Sequence, residues 1–150
     1  MIYVFNVKPI GKPRMTQQDK WLNPPRDAVA QYFAFKEDLG YKANLQQFRV
    51  GKIVEVVFLI PMPPSWSQKK RDSMRGCSHE MKPDTDNMLK AFFDALTADD
   101  SVIWHKAGRK FWWDDGYVIV TKNSDQSGEL PLNLRELLKP NYQITPNTAV

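Results

Sequence analysis

The stretch KIVEVVFLIP, residues 52–61, is nearly all apolar and rich in β-branched residues. It reads as a strand covered on both faces and ended by proline. A chain containing such a strand must build a sheet and supply other elements to pack on it. With 150 residues, 42% hydrophobic and 12% aromatic, the chain suits one compact domain and is too short for two ordinary ones.

The other segments supply partners for that strand. IYVFNV at 2–7 reads as a first strand, followed by a loop, GKPRMTQQDKWLNPP. Asn23 before Pro24 and Pro25 is a plausible helix start, and Val29, Tyr32, Phe33, Leu39 and Leu45 give a helical stripe interrupted at Gly40. Residues 61–82 form a basic, proline- and serine-rich loop with room for a short helix at 67–75. VIWHKAGRKFWW and YVIVTK flank the Asp-Gly turn signal DDG at 114–116 and predict a late β-hairpin. PLNLRELLK is a last helical candidate, and the tail at 140–150 is expected to be mobile. This order argues for an α+β single domain with a mixed β-sheet of about four strands and helices packed on it.

Several functional classes are excluded. Cys77 is the only cysteine and His79 and His105 the only histidines, so neither an internal disulfide nor the usual Cys/His zinc site can form. The N-terminus lacks a charged leader followed by an apolar segment, and no run is long enough to cross a bilayer; a soluble, cytoplasmic protein is expected. A net charge of +4 permits a polyanionic partner without demanding one.

Against that positive balance, KPDTDNMLKAFFDALTADDS at 82–101 gathers five aspartates. Carboxylates held close together repel and compete for protons, so a cation between them is one explanation. Asp84 and Asp86 fall at a helix entry, where free backbone N–H groups favour negative charge. Met88, Leu89, Phe92, Phe93 and Leu96 make the buried stripe of that helix, and Asp86, Lys90 and Asp94 share its opposite face. Asp99 and Asp100 follow at the exit. A bland alternative stands beside the metal site: Asp84 as a cap, Asp86–Lys90–Asp94 as an exposed ion-pair ladder, and Asp99–Asp100 as a turn. A calcium loop of the EF-hand type fits far less well, because Leu89 stands where its glycine belongs.

The stretches KPDTDNMLKAFFDAL and DDSVIW, with IPMPPSWSQKKR and GKPRMT before them, resemble the RusA family of Holliday-junction resolvases, especially its phage and prophage forms. The likeness spans about residues 2–122. It implies a magnesium-dependent endonuclease, with Mn²⁺ as a substitute, that acts as a homodimer and nicks opposing strands of four-way junction DNA in recombination and repair. Carried over by position, the catalytic residues are Asp84, Asp86, Lys90 and Asp100. The metal ligands are Asp84, Asp86 and Asp100, with Asp99 as alternate. Only Thr97 and Ala98 separate D-A-L from D-D here, a shorter segment than in better-known members. Asp114 and Asp115 offer a competing pair, but DDS followed by Val102 and Ile103 fits the motif better. Lys12, Arg14, Lys69, Lys70, Arg71 and Arg75 are the candidate phosphate contacts. Trp66 beside them is either a stacking group or a loop anchor. Arg109 and Lys110 are further basic candidates. The alternatives are a metal-dependent nuclease of broader branched or duplex specificity and a DNA-binding module without catalysis.

Overall fold

The computed structural model describes residues 1–139, so the tail expected to be mobile, residues 140–150, lies outside the described residues. In chain order the elements are β1 (Tyr3–Phe5), a 3-10 turn (Gln17–Lys20), α1 (Asp27–Leu45), β2 (Ile53–Pro61), α2 (Gln68–Met74), α3 (Thr85–Leu96), β3 (His105–Trp113), β4 (Tyr117–Ser124) and α4 (Leu132–Leu137). They make an α+β domain with a four-stranded mixed sheet ordered β1-β4-β2-β3. β2 runs parallel to β3 and antiparallel to β4, and β1 closes the far edge antiparallel to β4.

β2 is central, as its apolar sequence requires, but only one of its faces is sealed. Val54, Val56, Phe58 and Ile60 are buried in the core with Phe92 and Met88 of α3 and Phe35 and Leu39 of α1. Glu55, Val57, Leu59 and Pro61 on the other face are only half-buried. The near-continuous apolar run reflects two flanking strands more than two covering layers.

The expected hairpin is corrected. β3 and β4 are joined by Asp114–Gly116 but do not pair with each other, because β2 lies between them and hydrogen-bonds to both. The link passes over the end of β2, where Met62 N donates to Trp113 O at 3.0 Å. A local turn signal fits either arrangement. Placing the most apolar strand in the middle gives it two ladders, and that non-local gain decides.

The helix reading also shifts. α1 starts at Asp27 rather than at Asn23, because Arg26 is drawn back by Asp19 at 2.7 Å and by Arg14 O at 3.0 Å. It continues unbroken through Gly40, with Val29, Tyr32, Phe35, Leu39 and Ala43 as its buried stripe. Phe33 and Leu45, placed in that stripe from the sequence, are 48% and 66% exposed. α2 forms as expected, with Ser67 Oγ accepting from Lys70 N at 3.2 Å. α4 forms too, and Leu132, Leu134 and Leu137 on it are exposed.

The contact that matters most for the acidic helix is at Gly108 in β3. A Cβ there would lie 2.9 Å from Thr85 Cγ2 and 3.1 Å from the Leu89 side chain, so the first turn of α3 rests directly on the strand backbone. Gly108→Val is therefore expected to destabilise the fold by about 1–3 kcal/mol through overpacking, read as a lower midpoint of urea unfolding. A midpoint equal to that of the parent would mean that α3 is free to move off β3.

Candidate active site

The segment entering α3 is held from three sides. Lys110 Nζ on β3 donates to Pro83 O at 2.8 Å and also to Met81 O. Gly11 lies so close that a Cβ on it would meet Pro83 Cβ at 2.6 Å. Lys12 N donates to Asn87 O at 3.2 Å, joining the first loop to the first turn of α3. These contacts frame an open depression of about 390 Å³ lined by Lys82, Pro83, Asp84 and Asn87.

Asp84 occupies the N-cap position with extended backbone, yet its carboxylate makes no capping hydrogen bond. Asp86 sits in the first turn of α3 and Lys90 one turn further along. Among the described residues, none of these three side chains has a hydrogen bond or ion pair within the protein, and all three are exposed. The bland alternative of a cap and an Asp86–Lys90–Asp94 ladder is therefore not what the chain builds. Two free carboxylates at the positive end of a helix dipole remain. They suit magnesium, which takes one or two carboxylates and completes its octahedron with water and phosphate oxygens.

Asp94, a rung of that ladder in the bland alternative, fastens three elements together. It pairs with Lys12 Nζ at 2.8 Å, from the first loop, and accepts the hydroxyl proton of Tyr32 on α1. Burial works against its charge, but hydrogen bonds from Lys12 and Tyr32 and the charge of Lys36 outweigh it and hold the carboxyl below its usual range. Burial and then the Asp94 hydrogen bond push the Tyr32 hydroxyl well above its ordinary value. The aromatic hydroxyl on the buried stripe of α1 was the available clue, since such a group needs a partner.

Asp99 and Asp100 lie past the other end of α3. Asp99 Oδ1 accepts from Ser101 N at 2.9 Å, a bond that lowers its pKa, and Asp100 faces Lys106 Nζ at 3.3 Å. A 12-residue helix spans about 18 Å, and β3 then runs back along it, so Asp100 stays remote from Asp84 and Asp86 in one protomer. Among the described residues, no three His, Cys, Asp or Glu side chains stand close enough to hold a metal together. Of the competing pair, Asp114 is bound by Arg75 at 2.7 and 3.0 Å and its carboxyl is lowered by that contact; Asp115 is exposed.

The basic residues divide by what they touch. Arg75 is committed to Asp114 and to Asp72 at 3.0 Å, and Arg71 donates to Pro63 O at 3.0 Å. Both fasten α2 to the body. Lys69 is exposed and unpaired among the described residues, and so is the Arg14 side chain. Lys70 lies 4.3 Å over the Trp66 ring, which itself packs 4.8 Å from Trp112; Trp66 anchors its loop. Arg109 is exposed on the edge strand. His79 is 4% exposed, its ring 4.2 Å from Trp112, and its buried Nδ1 has no partner.

Two outcomes follow from these contacts. Tyr32→Phe removes one of the donors to Asp94 and is expected to cost about 1 kcal/mol of stability, measured by denaturant unfolding; no change would show that Lys12 alone satisfies the carboxylate. His79 is held below its ordinary pKa of 6.5, by burial and then by Lys110, so as pH falls the unfolded chain takes up the proton first. Its contribution to stability is present above about pH 6.5 and is lost as pH falls below that. The melting temperature should drop more steeply between about pH 7 and pH 5 in the parent than in His79→Phe; parallel profiles would contradict the assignment.

Among the described residues, no helix is long and apolar enough to cross a membrane. No curated protein matches the chain. A family model described as endodeoxyribonuclease RusA matches residues 5–122, a span that runs from β1 to β4 and takes in the whole of the loop, helix and strand frame around Asp84. The chain belongs to the RusA family of endodeoxyribonucleases.

Proposed function

We propose that this chain is a magnesium-dependent endonuclease that resolves four-way DNA junctions by paired nicks in opposing strands, acting as a homodimer on cytoplasmic DNA during recombination and repair. The observation that carries this reading is the unspent charge at the start of α3. Asp84 sits where a side chain would ordinarily cap the helix and makes no such bond.

In this reading Asp84 and Asp86 hold the metal. Bound there, Mg²⁺ or Mn²⁺ would supply Lewis-acid stabilisation and a more acidic water. Lys90, one turn along the exposed face, supplies an ammonium to the scissile phosphate and stabilises charge that grows in the transition state. Asn87 lines the same depression as Asp84 and orients what binds there. Asp100 is the third acid, with Asp99 as its alternate. Since α3 separates Asp100 from Asp84 within one protomer, a second copy whose α3 runs antiparallel to the first would supply it, and a two-fold pair of such sites suits an enzyme that cuts two opposing strands.

Lys69, Lys70 and Arg14 are the proposed phosphate contacts, while Lys12, Arg71 and Arg75 act mainly by shaping the loops that carry them. Lys69→Ala with Lys70→Ala should weaken junction binding and lower the slope of log affinity against log salt by about two. An unchanged slope would remove those residues from the interface.

The reading as a whole is tested on a synthetic four-way junction and a matched linear duplex, each with Mg²⁺ or EDTA. Metal-dependent paired nicks confined to the junction are expected. Equal cutting of both substrates would make the protein a general nuclease, and binding with no cutting under any metal would make it a DNA-binding module.

A further inference from the structure

We infer that Lys110 is a positioning residue for the acidic site, fixing the peptide that leads into Asp84 so that the two carboxylates of α3 bind the metal in one arrangement. This rests on the nuclease reading above and gives a different role to a residue that the sequence offers only as a further basic candidate for DNA.

Side chains alternate along β3, and Lys110 falls on the same side as Gly108 and the buried Trp112. Its stem therefore runs beneath the loop before α3, whereas the neighbouring Arg109 lies on the opposite face. The ammonium donates to Pro83 O at 2.8 Å and to Met81 O. Pro83 O belongs to the peptide that joins Pro83 to Asp84, so anchoring it sets the plane from which the Asp84 backbone departs. On the strand's other neighbour on that face, Gly108, the first turn of α3 rests through Thr85 and Leu89. β3 thus grips both sides of Asp84, one by packing and one by hydrogen bonds. Among the described residues Lys110 has no carboxylate partner, and its field reaches His79, where it helps to lower the imidazole pKa.

The test uses the full-length protein without DNA first. Backbone amide resonances of Thr85, Asp86 and Asn87 are followed by ¹⁵N NMR during Mg²⁺ titration of the parent, Lys110→Met and Lys110→Arg. Loss of a group that orients metal ligands typically weakens metal binding by about 10–100-fold, and Lys110→Met should raise the half-saturating Mg²⁺ concentration by at least about tenfold. Lys110→Arg, which keeps donors and charge, should recover most of it. Metal-free binding to a four-way junction and its salt slope should match the parent in both variants.

A Lys110→Met protein with parental Mg²⁺ affinity would overturn the inference, and so would a reduced salt slope, which would mark Lys110 as a DNA contact. If Lys110→Met does not fold, Lys110→Gln is measured in the same way and judged by the same outcomes. Failure of the parent itself to respond to Mg²⁺ at these amides would defeat the nuclease reading and this inference with it. A responding parent with an unaltered variant defeats only the inference.

Discussion

At Gly108 the backbone of β3 carries no side chain, and the first turn of α3 settles onto it through Thr85 and Leu89. That contact fixes which end of the acidic helix is held rigidly against the sheet. β3 lies at the edge beside β2, and its helix-facing side is partly given over to the loop before α3. The first loop then closes over the same place, with Gly11 against Pro83 and Lys12 bonded to Asn87 and Asp94. Asp94 completes the frame by binding Tyr32 of α1. β3 and the first loop bear on the entry to α3, and α1 holds the same helix near its other end.

Rigidity around the helix entry stands in contrast to the freedom of the groups it presents. Asp84, Asp86 and Lys90 are left without protein partners, while nearby charges of the same kinds are consumed: Asp94 by Lys12 and Tyr32, Asp114 by Arg75, Asp19 by Arg26. Surface ion pairs contribute little to stability, so leaving three charged side chains unpaired costs the fold little. A pre-set pair of carboxylates on a fixed helix end can then meet a metal with little rearrangement.

Much of this was legible in the sequence where the signal is local. The apolar run of β2, the short helix α2 and the amphipathic stripe of α3 are each local to one element and were read close to their observed bounds. The acids were legible as a pattern, and the likeness to RusA gave them roles. What was not legible depends on pairing across the chain. The Asp-Gly turn after β3 looks the same whether or not a third strand lies between its arms. Phe33 and Phe35 are equally apolar, and only the position of α3 and the sheet decides that Phe35 is buried and Phe33 is not. Asp94, Arg75 and Lys110 looked like surface charges because their partners, Tyr32, Asp114 and the carbonyls of Met81 and Pro83, are from 27 to 62 residues away. Lys110 left a trace, since strand alternation puts it on the side of Gly108 and Trp112, and the Tyr32 hydroxyl on the buried stripe of α1 left one for Asp94.

The proposed site spans two copies of the chain, and subunit mixing tests this most directly. Asp86→Asn and Asp100→Asn proteins, each expected to be inactive alone, are dissociated together, reassociated and assayed on a four-way junction with Mg²⁺. If acids from the start of one α3 act with Asp100 of the partner, each mixed dimer regains one intact site and makes single nicks. If all three acids act within one protomer, or if Asp100→Asn is active by itself, no such recovery occurs and the two-copy site is contradicted.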